Sequence, residues 1–305
     1  MAVPYRSLGS SAGLGLEVTP GTPVSRTRWV HLNGSSLTQT ARNRATRGRL
    51  AHTSAAFVES RFVVDQQVGG TLTVPGSYSA LGLLLRAALG TVAGVGPYTF
   101  SAAAALPSLT IEQIVGSSGS SEVYAGCKVN SMTLTATPGA EVTFAFDLIG
   151  ISKAVAGSAG TPTLTSAVAI EHYEWAVTWA GSSVGTVKSL SSVLSNNLNR
   201  RPQVGSLRTA EPSVGVREVR TTIVVDKESF AARASEIADT TGDLVLTATD
   251  TASGAKTFVY TINDCTLRVT ETLGDSIADL TTSLEFESIG NPEIVVTNGE
   301  ATYDV

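Results

Sequence analysis

Charge is scarce in this chain: Asp, Glu, Lys and Arg together make up 15% of its 305 residues. That argues against a fold dominated by long solvated helices, which draw on Glu, Lys and Arg for their outer faces. Aromatic residues are few as well, at 6%, and form no Tyr/Trp cluster in the loop-like stretches, which counts against a sugar-binding platform. The two cysteines, Cys127 and Cys265, both lie in strand-like text and read as buried free thiols rather than a staple. Histidine occurs three times, at His31, His52 and His172, without ligand spacing and without an H-E-x-x-H pattern, so no metal site is expected. No apolar run approaches a membrane span, and no membrane insertion is expected. Met1 to Val18 lacks the continuous apolar stretch of an export signal, so assembly in the cytoplasm of the producing cell is the expectation.

Catalytic text is equally thin. Gly9-Ser10-Ser11-Ala12-Gly13 matches G-x-S-x-G by letter, but no apolar strand precedes it and no helix follows, so the strained elbow that activates a serine is not built. Gly13-Leu14-Gly15 lacks a third glycine and a βαβ setting, and no Walker-type Gly-Lys-Ser/Thr occurs. Glu285 and Glu287 alternate on a strand and share one solvated or channel-lining face. Trp29, Trp175 and Trp179 read as core or interface anchors. Neither an enzyme nor a cofactor-binding protein is expected.

What the chain has is Thr, Ser, Val, Ala and Gly in alternation, with hydrophobic residues at 42%. That mix suits pleated, half-buried surfaces and predicts a mainly β protein. The chain is long enough for two cores, and so for two domains. Its second half also repeats its first in the same order. Val30-His31-Leu32-Asn33-Gly34-Ser35-Ser36-Leu37, with Asn43-Arg44 beyond, matches Val187-Lys188-Ser189-Leu190-Ser191-Ser192-Val193-Leu194, with Asn199-Arg200 beyond. Val129-Asn130-Ser131-Met132-Thr133-Leu134 matches Ile262-Asn263-Asp264-Cys265-Thr266-Leu267, which sets Cys265 on Met132 and Cys127 near Tyr260. Each copy closes on Phe-x-x-Ile-Gly, at Phe146–Gly150 and Phe286–Gly290.

Each repeat holds one short helix between strands. Beyond Pro75-Gly76, Ser77 or Ser79 caps a helix whose Leu81, Leu84, Leu85, Ala88 and Leu89 form one stripe, with Gly90 as its stop. Burying such leucines contributes roughly 1.5–3 kcal/mol each, so the stripe must lie on a sheet. In the second copy Asp226 is the cap, and Phe230, Ala234, Ile237 and Ala238 form the stripe. The expected architecture is two tandem β-sandwich or barrel units, each with one flanking helix. Residues 1–27, rich in Gly, Ser and Pro, form an extended arm; 28–152 and 186–292 are the units; 153–185 link them through a lead-in strand at Trp175–Trp179; 293–305 form a C-terminal hairpin or arm turning at Asn298-Gly299.

Charge is unevenly spread. Residues 1–61 carry eight arginines against two glutamates, a balance of +6, whereas residues 205–305 carry 17 acids against seven bases, a balance of −10. Either the basic end of one subunit meets the acidic end of the next, or the charges sit solvated on separate faces. Arg42, Arg44, Arg47 and Arg49 lack interleaved aromatics in an acidic protein, unlike a duplex-binding patch.

Several stretches taken together resemble the tail tube proteins, also called major tail proteins, of long, non-contractile-tailed bacteriophages. They are Gly69-Gly70-Thr71-Leu72-Thr73-Val74-Pro75, Leu81–Gly90, Pro107-Ser108-Leu109-Thr110-Ile111-Glu112, Tyr124–Ser131, Leu134–Gly139 and Phe146–Gly150, with Glu17 and Gly21-Thr22-Pro23-Val24 near the start. The match is dense over residues 60–150 and thinner in the second half. The resemblance implies a structural virion protein whose units stack as rings into a hollow tail, around a tape-measure protein and between tail terminator and tail tip proteins, with double-stranded DNA in transient passage. A tandem pair of units would close each ring from three chains, a pseudo-hexamer. Thr71 and Thr73, or Thr133, Thr135 and Thr137, would face the bore. Arg42, Arg44, Arg47 and Arg49 in a loop from 42 to 57, with Asn298 and Gly299, are the expected inter-ring contacts. The competing class is a duplicated β-sandwich binding or decoration module, such as a virion adhesin.

Overall fold

Period-two text becomes antiparallel sheet over most of the chain, which is mainly β. The computed structural model describes residues 11–47, 58–114, 121–156, 159–164, 168–226, 235–252, 254–272 and 281–298. In the first repeat the strands are β1 (Ser11–Leu16), β2 (Arg28–His31), β3 (Gly34–Ser35), β4 (Thr38–Arg47), β5 (Val58–Pro75), β6 (Gly90–Ala93), β7 (Tyr98–Ala102), β8 (Leu109–Ile114), β9 (Ser121–Ala136), β10 (Thr143–Gly150) and β11 (Ser152–Ala156). The second has β12 (Trp175–Trp179), β13 (Ser182–Ser183), β14 (Val187–Ser195), β15 (Asn199–Arg201), β16 (Ala210–Ser213), β17 (Glu218–Asp226), β18 (Thr241–Thr249), β19 (Thr257–Thr272), β20 (Thr281–Ser288) and β21 (Pro292–Thr297).

Two long strands each serve two layers. The first part of β9 pairs with β8 and β11, and its last part with β10 and β14. Gly126, at φ +69, marks the changeover, and a Cβ there would meet the Ile151 side chain at 2.5 Å. β19 behaves alike: its start pairs with β18 and β21, its end with β20, and Asp264 at φ 50 lies between. Each repeat is thus a sandwich, but the two share one contiguous core. Phe144 of β10 meets Phe258 of β19 edge-on at 5.6 Å, where two separate cores were expected.

The helix α1 (Gly82–Leu89) is buried on every side except at Arg86, so the expected leucine stripe is too narrow a description. Leu81, Leu84, Leu85 and Leu89 are all buried. Ser77 Oγ accepts the Ala80 N–H at 3.0 Å, ahead of the helix, whose N-cap is Leu81. Gly90 ends it at φ 120, a conformation that favours glycine. The second stripe fares differently. Phe230 and Ala234 lie outside the described residues, and Ile237, in a helical turn at 235–237, is 79% exposed. Asp226 ends β17 and pairs with Lys188 at 3.0 Å, and the residues it was expected to cap lie outside the described residues.

The N-terminal segment is no arm at Ser11–Leu16. There β1 is buried and paired on both sides, with β2 and β8. Its glycines hide it from a periodicity reading, yet Trp29 covers Gly13 closely. Glu17 pins the strand's end: its carboxylate accepts from Gly21 N–H at 2.8 Å, Thr110 Oγ1 at 2.8 Å and Gly126 N–H at 2.9 Å. Ser11 is therefore a buried strand residue, not a nucleophile on an elbow. At the other end, β21 is an interior strand of the assembly, between β19 and β7. Cys127 and Cys265 are buried free thiols, as expected.

Candidate functional site

Eight strands form one continuous sheet in the order β4-β5-β10-β9-β14-β17-β20-β19. Four come from each repeat, and the repeats join where the end of β9 pairs with β14, from Ser131↔Ser195 to Ala136↔Leu190. Apolar side chains such as Phe144, Phe146, Leu134, Leu194, Ile223 and Phe286 all point to the core side.

The other face follows from register. One row across the sheet runs Thr73, Ala145, Thr133, Val193, Arg220, Glu287, Thr266. The next runs Thr143, Thr135, Ser191, Thr222, Glu285, Arg268. The two threonine sets that sequence left as alternatives therefore lie on one surface, because β5 and β9 flank β10; Thr137 lies just beyond the end of β9. This face is short-chained and polar across the first repeat. Its ionisable groups include Asp65, Asp147, Glu218, Glu285 and Glu287 and, against them, Arg42, Arg220 and Arg268, with Arg200 beside Asp65 and Asp147, so neither sign dominates. Arg220 bonds Glu287 at 3.1 Å, but both are largely exposed, and such pairs contribute about 0–1 kcal/mol.

Registers also test the repeat. Ser35 pairs with Leu72 and Ser192 with Thr221, while Phe146 and Phe286 lie opposite Leu72 and Thr221. The strand formed by β3 and β4 is thus the counterpart of β14, as the Val30–Leu37 text match implies. The later match slips by two: Met132 faces Phe146, but Leu267, not Cys265, faces Phe286. A shift of two keeps every side chain on its face, so pattern matching does not detect it. The Asn-Arg match also fails spatially. Asn43 and Arg44 continue in β4, whereas Asn199 and Arg200 lie in the separate β15–β16 hairpin.

The join between repeats is dense in polar bonds. Asn130 donates to Asp147 at 2.8 Å and accepts from the Leu198 N–H at 2.9 Å. Lys128, almost wholly buried, meets Glu211 at 2.5 Å. These residues carry no catalytic spacing, and only the folded join reveals their role.

The expected contact residues separate. Arg42, Arg44 and Arg47 lie in β4 opposite Asp65, Phe62 and Val58, so the expected loop is a strand at least to Arg47. Arg42 is exposed and borders a cleft of about 420 Å³ with Asp65, Arg200 and Arg208. Arg49 and Gly299 lie outside the described residues. Asn298 is buried and donates to the Tyr78 carbonyl at 2.8 Å, which makes it a tie within the chain rather than an exposed contact. Among the described residues no three His, Cys, Asp or Glu side chains converge as metal ligands, and no helix is long and apolar enough to cross a membrane.

A family model for the phage tail tube protein matches residues 7–288. The chain belongs to the phage tail tube protein family. No curated protein matches it. It is a structural tail tube protein of the phage particle, and membership implies self-assembly into a tube. The match spans both repeats, including the second, where family text was thin. In a tail tube protein the eight-stranded sheet is the element to weigh first, because it is continuous and, among the described residues, β4 and the end of β19 are its outermost strands.

Proposed function

We propose that three copies of this chain close into a ring through their eight-stranded sheets, and that rings stack into the hollow tail of a long, non-contractile-tailed phage. The observation that carries the reading is the β9·β14 join: two modules already lie side by side in one sheet with like orientation. A sheet that closes on itself removes the edges that otherwise pair with unrelated chains. Three chains supply six modules. At about 4.8 Å per strand and a tilt near 40°, such a sheet has a backbone diameter of roughly 50 Å, whereas six chains would give about twice that. The smaller bore fits a passage for a tape-measure protein and then for double-stranded DNA.

The polar face of Thr71, Thr73, Thr133, Thr135 and Ser191 lines the bore in this reading. It carries no basic excess, so DNA passes without the dense counterion-releasing contacts that would hold it. The strand β4, which carries Arg42, Arg44 and Arg47, lies toward a neighbouring ring in this reading, and Arg49 is a further contact there. Asn298 supports β21 instead. Assembly takes place in the host cytoplasm, and the finished tube ends on terminator and tip proteins. Negative-stain microscopy of the purified chain tests this: tubes or stacked discs with three chains per disc are expected. Dispersed single particles at every concentration, or six chains per disc, would overturn it.

A further inference from the structure

The cleft of about 420 Å³ beside β5 is built by both repeats. The segment between β15 and β16 runs alongside β5 there. The Gln66 N–H donates to the Leu207 carbonyl at 2.8 Å, and Gln66 bridges to Arg208 in parallel. The first repeat contributes Arg42 and Asp65 to the lining, and the second contributes Arg200, Arg208 and Thr209. Three guanidinium groups against one carboxylate leave this lining with a balance of +2.

Two of these residues hold buried polar atoms that lack partners. Arg200 Nη1 and Thr209 Oγ1 are both buried and neither makes a hydrogen bond; Thr209 as a whole is 3% exposed. Leaving a buried donor unpaired costs about 1–3 kcal/mol, and more when it is charged. Burial pushes the Arg200 guanidinium below its ordinary pKa, which the carboxylates of Asp147 and Asp65 offset only in part. Both carboxylates are engaged elsewhere, Asp65 by the Gln67 amide at 2.6 Å and Asp147 by Asn130 at 2.8 Å. Among the described residues, none of Arg42, Arg200 and Arg208 is in an ion pair. The seat of Arg200 is nonetheless kept open. A Cβ at Gly69 would stand 2.6 Å from Arg200 Nη2, so glycine there leaves the guanidinium its place.

We infer that this cleft binds a free dianionic oxyanion of the phosphate or sulfate kind, which ties Arg42 of the first repeat to Arg200, Arg208 and Thr209 of the second. Guanidinium groups present fixed N–H donors that match the oxygens of such an ion. A dianion balances the charge of the lining, whereas a single carboxylate leaves part of it uncompensated. The unpaired atoms of Arg200 and Thr209 lie below the surface, where a small ion fits and a rigid DNA duplex does not. The site lies within one chain, so it is independent of how rings close.

The test uses the full chain before assembly, so its failure and that of the ring reading are distinct. Inorganic phosphate, titrated at pH 8 and followed by its phosphorus NMR line width, should show one saturable site per chain. Sulfate should displace it, and acetate at the same ionic strength should do so far less. R200Q should weaken the site roughly tenfold or more, as the loss of a charged donor does. T209V should weaken it several-fold. Arg208 is exposed, so R208Q covers the case in which the buried variants misfold, and it should also bind several-fold more weakly. R220Q, on the same face but outside the cleft, should bind like the unmodified chain. The absence of saturable binding overturns the inference. Equal binding by R200Q, T209V and R208Q does so too, since it means an adventitious ion only. Acetate or a short DNA duplex that displaces phosphate as readily as sulfate does overturns the assignment to a free dianion.

Discussion

The side-chain amide of Asn196 donates to the carbonyl of Ala88 at 3.0 Å, across 108 positions of sequence. The same nitrogen donates to the Val129 carbonyl, also at 3.0 Å. Asn196 is fully buried, just past β14, and Ala88 lies in the last turn of α1, where helix carbonyls lack partners within the helix. One amide of the second repeat therefore fastens a helix end and a strand of the first. Asn196→Ala should destabilise the chain by roughly 1–3 kcal/mol, the cost of leaving buried carbonyls without donors. Denaturant unfolding of the unassembled chain measures it, and a change within error would remove Asn196 from the join.

The two helical segments should respond oppositely to truncation. Leu84 is fully buried between α1 and its sheet, so Leu84→Ala should cost about 2–5 kcal/mol. Ile237 is 79% exposed in the single chain, and Ile237→Ala should stay within about 0.5 kcal/mol. Thermal melts of both variants provide the comparison. Equal losses would mean that the second stripe packs as its text first suggests.

Stability should fall in acid through Glu112. Burial by itself would raise the pKa of this carboxyl; hydrogen bonds from the Ser121 hydroxyl and the Gly160 N–H, then the Arg26 guanidinium, outweigh it and hold the group below its ordinary value. A depressed carboxyl contributes stability that is complete above the unfolded pKa, about 4.3, and lost as pH falls through the folded one. The melting temperature of the native chain should therefore drop below that value, and Glu112→Gln should flatten the acid limb while lowering stability at neutral pH. A native-like acid limb in the variant would show that other carboxyls govern it.

Local chemistry alone determined much of this protein. Two-residue alternation marks β10, β14, β17 and β20, because a half-buried strand must send every second side chain to the core. Leucines at helical spacing and Gly90 mark α1, and the absence of ligand spacing leaves the cysteines as buried thiols. Alternation states which face of a strand is apolar, however, and not which strand lies beside it. The pairing of β9 with β14, of β21 with β7, and the meeting of both threonine sets on one surface depend on contacts between residues far apart in sequence. Ser11–Leu16 stayed hidden for a related reason: glycine gives no periodic signal, and Trp29 and Glu17, which make that strand part of the core, act only once the chain has folded over it.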